Sequence, residues 1–213
     1  MPYVDFYGGG SAQSQAPPPH ALLYSFNENL ASVADTFSFT TGNGAELDAS
    51  VFKFGGGSMK VPGTSTANTY DYGQHYGGSW TLEGWFRTSN FQRLQLTLES
   101  NRIEFDWNTA AGTIGYTLEN GSIAATDVTT TITADTFQHW AIVRDKVGGT
   151  YSLYFNGDRL HETVSASDLT DNTDGASLVC SQPTDIWVDD LRWSPVALYS
   201  GATYLVPTDE FPT

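Results

Sequence analysis

From residue 20 onward, apolar and polar positions alternate in short runs, and Gly, Asn, Asp and Pro separate one run from the next. A spacing of two marks a pleated strand with one face toward a core, whereas the 3.6 spacing of an amphipathic helix is nearly absent. The predicted strands are ALLYSF, SWTLEGWF, LQLTLES, RIEFDW, GTIGYTLE, DVTTTIT, HWAIVRD, YSLYFN, RLHETV and DIWVDDLRW. Thr, Val, Ile and aromatic residues dominate them, as half-buried pleated positions favour. So many short strands at this spacing predict an all-β sandwich or barrel.

Local turn chemistry sharpens the pattern. In YSLYFNGDRL, Tyr151, Leu153 and Phe155 fall on one face and Ser152 and Tyr154 on the other. Asn156-Gly157 then supplies the two positive-φ residues of a type I′ hairpin turn. Alternation also separates Asp189 from Asp190. It predicts one of them against Arg192 or a backbone amide within the sandwich and the other in water.

Residues 1–19, MPYVDFYGGGSAQSQAPPP, break the pattern with a glycine triplet, a Ser/Gln/Ala stretch and a proline triplet. Such a segment builds no core of its own, so the chain divides into an extended N-terminal arm, 1–19, and a sandwich, 20–213. The arm offers Tyr3, Val4, Phe6 and Tyr7 as apolar anchors for a partner, and its glycines allow close backbone approach.

Charge narrows the partners. With 24 acidic against 9 basic side chains the formal net charge is −15, which opposes nucleic-acid phosphates and anionic membranes alike. Cys180 is the single cysteine, so no internal disulfide forms and a CxxC zinc site is excluded. No apolar run reaches the roughly 18 residues of a membrane-spanning helix. The first residues lack the basic and apolar regions of a secretion signal, which predicts synthesis in a cytosol.

Taken in order, the motifs resemble the laminin-G-like, concanavalin-A-like jelly-roll domains. VFKFGGGSMKVPG and SWTLEGWFRTS stand where that family has its opening Phe-x-Gly segment and Ser-hydrophobic-Thr-hydrophobic-Glu-x-Trp strand. FQHWAIVRD, LYFNG and DIWVDDLRWS match its later strand, hairpin and closing strand, with Phe137 where Trp is common. ALYSGATYLVPTDEFPT looks like the C-terminal motif of such domains in bacteriophage structural proteins. The likeness covers about residues 20–213 and implies a β-sandwich, but this fold hosts hydrolases, lectins, adhesion modules and virion parts.

Glycoside hydrolases on this fold resemble one another in a Glu-x-Asp-x-Glu or Glu-x-Asp-x-x-Glu strand, whose alternation puts the carboxylates on one face. Here Glu104-Phe105-Asp106-Trp107-Asn108-Thr109 lacks the last carboxylate in either spacing. No nucleophile elbow, phosphate loop or dinucleotide fingerprint appears, and His20, His75, His139 and His161 lack metal-ligand spacing. The expectation is a non-enzymatic protein.

Two loops offer binding chemistry. TANTYDYGQHYGGSW gathers Tyr70, Asp71, Tyr72, His75, Tyr76 and Trp80, suited to stacking on sugar rings or anchoring a protein. SDLTDNTDG offers Asp168, Asp171, Asn172 and Asp174 as hard oxygen ligands for calcium, although Thr170 departs from the Asp-x-Asp-x-Asp-Gly register. No other cofactor is expected.

The resemblance and the arm together imply a bacteriophage virion structural protein. In this reading it is a capsid decoration (cement) protein, a homo-oligomer for which a trimer fits, docked by its arm on the major capsid or other virion proteins. The alternative is a carbohydrate-binding adhesin for host surface glycans, on a phage tail or in a soluble lectin-like protein, with the Tyr70–Trp80 loop as its site.

Overall fold

The computed structural model describes residues 22–24, 44–63, 66–68, 78–88, 94–98, 103–108, 112–118, 123–166, 176–180 and 185–211. Among them are fourteen strands in two antiparallel sheets. The eight-stranded sheet comprises β1 (Leu22–Tyr24), β2 (Glu46–Asp48), β3 (Ser58–Val61), β5 (Trp80–Thr88), β10 (Gln138–Asp145), β11 (Thr150–Phe155), β12 (Asp158–Val164) and β14 (Ile186–Ser194), in the order β12-β11-β10-β5-β14-β3-β2 with β1 also on β14. The six-stranded sheet comprises β4 (Thr66–Asn68), β6 (Leu94–Leu98), β7 (Ile103–Asn108), β8 (Thr113–Leu118), β9 (Ile123–Thr129) and β13 (Ala176–Cys180), in the order β4-β13-β6-β7-β8-β9.

Alternation decides which residues meet between the sheets. Trp80, Leu82 and Phe86 of β5, Trp140 and Ile142 of β10, Tyr151, Leu153 and Phe155 of β11, and Ile186, Val188 and Trp193 of β14 point inward. Ile114, Tyr116 and Leu118 of β8 meet them from the opposite sheet. Trp80 stacks on Trp193 with ring centroids 4.7 Å apart, and Tyr151 meets Trp80 edge-on. Cutting such a ring back to alanine removes about 3–5 kcal/mol. Asn156 and Gly157 adopt φ of 47° and 101°, so the hairpin turn forms as its residues demand.

Three expectations change. Trp80 is fully buried, so it is a core residue and offers no face to a sugar or a partner. The strand predicted at DVTTTIT starts earlier, at Ile123, and ends at Thr129.

The third change concerns the two aspartates. Neither Asp189 nor Asp190 faces water, since both are 0% exposed, and Arg192 pairs with neither. A bulge between Asp189 and Arg192 breaks the alternation, with Asp190 at φ 44°. Asp189 accepts the backbone N–H groups of Lys53 at 2.7 Å and Phe54 at 3.1 Å, and Asp190 accepts that of Phe211 at 2.9 Å. The bulge lies against Gly84, where a Cβ would stand 3.3 Å from the Leu191 backbone. A side chain at 84 would crowd the residues that turn the two carboxylates inward.

Candidate functional site: the outer face and rim of the six-stranded sheet

Strand register locates the polar face. Leu118, Tyr116 and Ile114 are core residues, and they pair with Ile103, Phe105 and Trp107. Glu104, Asp106 and Asn108 occupy the alternate register positions of β7. Glu104 is in register with Thr97 and Thr117, Asp106 with Gln95 and Gly115, and Asn108 with Thr113. The rows continue into β13 and β4, since Ser177 pairs with Thr97 and Asn68, and Val179 with Gln95 and Thr66. These adjoining register positions thus carry hydroxyl, amide and carboxylate residue types. None of the six strands contains Lys, Arg or His.

The rows run across strands about 4.8 Å apart, so five intervals span roughly 24 Å. That is the scale of a short oligosaccharide. The third position of the hydrolase-like series is Asn108, an amide, which cannot serve as the proton donor a carboxylic acid provides.

The two loops singled out in the sequence adjoin β4 and β13 along the chain. β4 ends at Asn68 and β13 begins at Ala176, and Asn68 pairs with Ser177. The chain thus leaves for the Tyr-rich loop and returns from the Asp-rich loop at neighbouring points. Tyr70, Asp71, Tyr72, His75 and Tyr76 themselves lie outside the described residues, as do Asp168, Asp171, Asn172 and Asp174 and the arm anchors Tyr3, Val4, Phe6 and Tyr7. Among the described residues, no group of three His, Cys, Asp or Glu side chains is placed to hold a metal ion.

The outer side of the eight-stranded sheet is built differently. There β5 carries Glu83, fully buried, which accepts bonds from Arg192 Nε and Nη2 at 2.9 and 2.5 Å and from the Tyr199 hydroxyl at 2.5 Å. His139 Nε2 stands 3.2 Å from the same carboxylate, short of hydrogen-bond alignment, while its Nδ1 meets the Tyr204 hydroxyl. Burial by itself would raise the Glu83 carboxyl, but His139, Arg192 and Tyr199 more than reverse this and hold it below its usual range. Burial lowers His139, so the imidazole is neutral, and burial raises the Tyr199 and Tyr204 hydroxyls beyond any working pH. Glu83 and Arg192 are therefore a matched ion pair sealed by two tyrosines of residues 195–211. No group in it is free to exchange protons with a substrate.

Sequence reasoning passed over Glu83 because a Glu at an alternating strand position reads as a solvent contact. The signal was available in the pairing of SWTLEGWF with the distant tyrosines of ALYSGATY.

Comparison with known proteins adds the family. A model described as the concanavalin A-like lectin/glucanases superfamily matches residues 59–199, about two thirds of the chain. Among solved structures, domain 4 of AbnA, a GH43 extracellular arabinanase from Geobacillus stearothermophilus in complex with arabinotriose, superposes with a TM-score of 0.64 at 18% identity, over 84% of this chain and 93% of that one. The catalytic domain of a glycoside hydrolase family 131 protein from Coprinopsis cinerea gives 0.52 at 18% identity, over 83% and 95%. The binding domain of botulinum neurotoxin DC in complex with SialylT gives 0.53 at 13% identity, over 78% of this chain. The chain spans about half the length of that last structure, 46%, and likewise 49% of HCR/D-Sa-GBL1/C. At these identities the likeness is one of fold. No curated protein matches by sequence.

Proposed function

Since the chain belongs to the concanavalin A-like lectin/glucanases superfamily, we propose that it is a carbohydrate-binding domain without catalytic activity. It takes a neutral glycan on the outer face of the six-stranded sheet and the rim beside it. The observation that carries this reading is the face itself, on which Gln95, Thr97, Glu104, Asp106, Asn108 and Thr117 share adjoining rows.

Hydroxyls and amides bond sugar hydroxyls, and carboxylates accept two of them at once. Strands with no Lys, Arg or His, on a chain of net charge −15, disfavour sulfated and carboxylated polymers. Binding without cleavage is supported by Asn108, which leaves the strand short of the third carboxylate of the hydrolase-like series. One neighbour covered over 93% of its length is a domain solved in complex with arabinotriose, which supports a glycan ligand.

Binding to a panel of immobilised neutral, sulfated and uronic-acid polysaccharides tests this, together with an assay for released reducing ends. Saturable binding to a neutral polymer is expected, weakened at least about tenfold, or 1.4 kcal/mol, by Glu104→Gln combined with Asp106→Asn. No reducing ends are expected. Absence of saturable binding overturns the ligand assignment, and reducing ends released by the wild type but not the double variant overturn the non-catalytic one.

A second reading, capsid decoration through residues 1–19, rests on the C-terminal motif Ala197-x-Tyr199, Tyr204, Pro207 and Phe211. It is compatible with the first, since a particle-bound domain can hold host glycans. Co-sedimentation with a megadalton particle, in fixed ratio to a shell protein, is the expected result. Recovery only as a small soluble species sinks it.

A further inference from the structure

Residues 195–211 are fastened to the outer side of the eight-stranded sheet at a series of points. Thr81 Oγ1 donates to Val196 O at 2.8 Å and accepts the Leu198 N–H at 2.9 Å. Tyr199 donates to Glu83, Tyr154 Oη donates to Gly201 O at 3.0 Å, and the Arg159 and Tyr204 N–H groups bond to Ala202 O and Gly157 O. Ala197, Tyr199 and Tyr204 also pack on Ala141, Val143 and Tyr154. These fastenings use uncharged groups or the compensated Glu83–Arg192 pair.

The last fastening differs. The Phe211 N–H donates to Asp190 Oδ2, while Asp190 Oδ1 is buried with no hydrogen-bond partner. Charged groups face this carboxyl from each neighbouring element. Asp189 adjoins it on β14, Glu210 adjoins Phe211 on the tail, and both disfavour a second negative charge. Arg192, on β14, directs its guanidinium to Glu83 of β5 and lies 3.9 Å from the Phe211 ring. Lys53, from the segment before β3, has its ammonium 4.3 Å over Trp85. His139 of β10 is held neutral by burial and meets Phe211 edge-on. An ionised Asp190 would thus be a buried charge without a matching cation, a situation that costs several kcal/mol when a partner is lacking.

We propose that the contact between Asp190 and Phe211 is a pH-operated latch, closed while the carboxyl is neutral and opened when it ionises, so that alkaline conditions release the end of the tail and bring water to Arg192 and His139. Burial, reinforced by Asp189 and Glu210, pushes the Asp190 carboxyl up to about 8. The opening therefore falls slightly above neutrality. Asp190 sits at φ 44°, a conformation that asparagine tolerates well, so Asp190→Asn removes the charge and keeps the shape.

Hydrogen exchange of the amides of residues 208–211, compared between wild type and Asp190→Asn at matched pH from 6 to 9.5, reads the latch with intrinsic exchange cancelled. The ratio of wild-type to variant exchange should rise about tenfold per pH unit as pH climbs from 6 toward 8 and level off above that, where the carboxyl is ionised in both the closed and the open state. Glu210→Gln, which leaves the sheet untouched, should move the opening to lower pH, because it removes a negative charge that disfavours ionisation of Asp190. A wild-type to variant ratio that stays flat across this range overturns the latch, and an opening unmoved by Glu210→Gln overturns its electrostatic cause.

Discussion

On the outer side of the eight-stranded sheet Glu83 is enclosed by Arg192, Tyr199 and His139 under residues 195–211, whereas on the outer side of the six-stranded sheet Glu104 stands in register with Thr97 and Thr117. Both are glutamates at alternating strand positions. One has been supplied with a cation and covered by aromatic tail residues, and the other lies on a face whose strands contain no cation at all. A carboxylate can be buried only where its charge is answered. The pairing of one side and the lack of cations in the strands of the other therefore separate a structural side of the sandwich from the side proposed to face a ligand.

The comparison breaks hardest at Glu83. Glu83→Gln removes the charge that answers Arg192 and leaves that guanidinium buried without a counterion, at a cost of about 3–5 kcal/mol. Urea unfolding should show the loss directly. If Glu83→Gln unfolds at the wild-type midpoint, the outer side of the large sheet is not held by this pair.

Next comes the pH dependence of stability. Asp189 and Asp190 are pushed by burial to about 7 and about 8 in the fold, above the ordinary aspartate value of 3.8. Between those values the folded chain holds protons that the unfolded chain has lost. Their stabilising contribution is therefore present in full below pH 3.8 and is lost as pH rises through 7 and 8. His139, lowered by burial, acts in the opposite sense, since its stability is lost as pH falls below its unfolded value of 6.5. The range from pH 7 to 9 isolates the aspartates. Unfolding free energy should fall by about 1–2 kcal/mol across it in the wild type and by less than half of that in Asp190→Asn. A wild-type protein equally stable at pH 7 and 9 contradicts the expectation.

Tyr199→Phe sharpens the same contrast at smaller scale. It deletes a 2.5 Å bond to a charged acceptor while keeping the ring against Tyr154 and Tyr204. A loss of about 1.5–3 kcal/mol is expected. Thermal unfolding indistinguishable from wild type would mean that the tail is held by ring packing alone.

What the sequence disclosed follows the same division. Strands with strong alternation and branched or aromatic residues, such as HWAIVRD and YSLYFN, were legible, as was the Asn156-Gly157 turn, because pleat and turn chemistry are local. β4, β13 and the start of β9 were not, since TAN, ASLVC and IAAT are short or built from small residues whose strand preference comes from their neighbours. The aspartates were misread because a bulge cancels alternation after Asp189. Glu83 was passed over because its partners arrive from 109 and 116 residues away. Glu104 and Asp106 were noticed as a pair, but their company of threonines, glutamine and asparagine emerges only when strands distant in sequence are laid in register.

That company makes the smallest stability effect the most discriminating one. Glu104→Gln is the same chemical change as Glu83→Gln, made on the other face. With no charge partner on the six strands to be stranded by it, it should change unfolding free energy by no more than about 0.5 kcal/mol, while together with Asp106→Asn it removes acceptors a sugar would use. Paired measurements of urea midpoint and polysaccharide retention on the two glutamine variants separate the roles. A Glu104→Gln protein destabilised as much as Glu83→Gln would mean that this carboxylate, too, is structural, and the assignment of the six-stranded sheet as the ligand-facing side would fall.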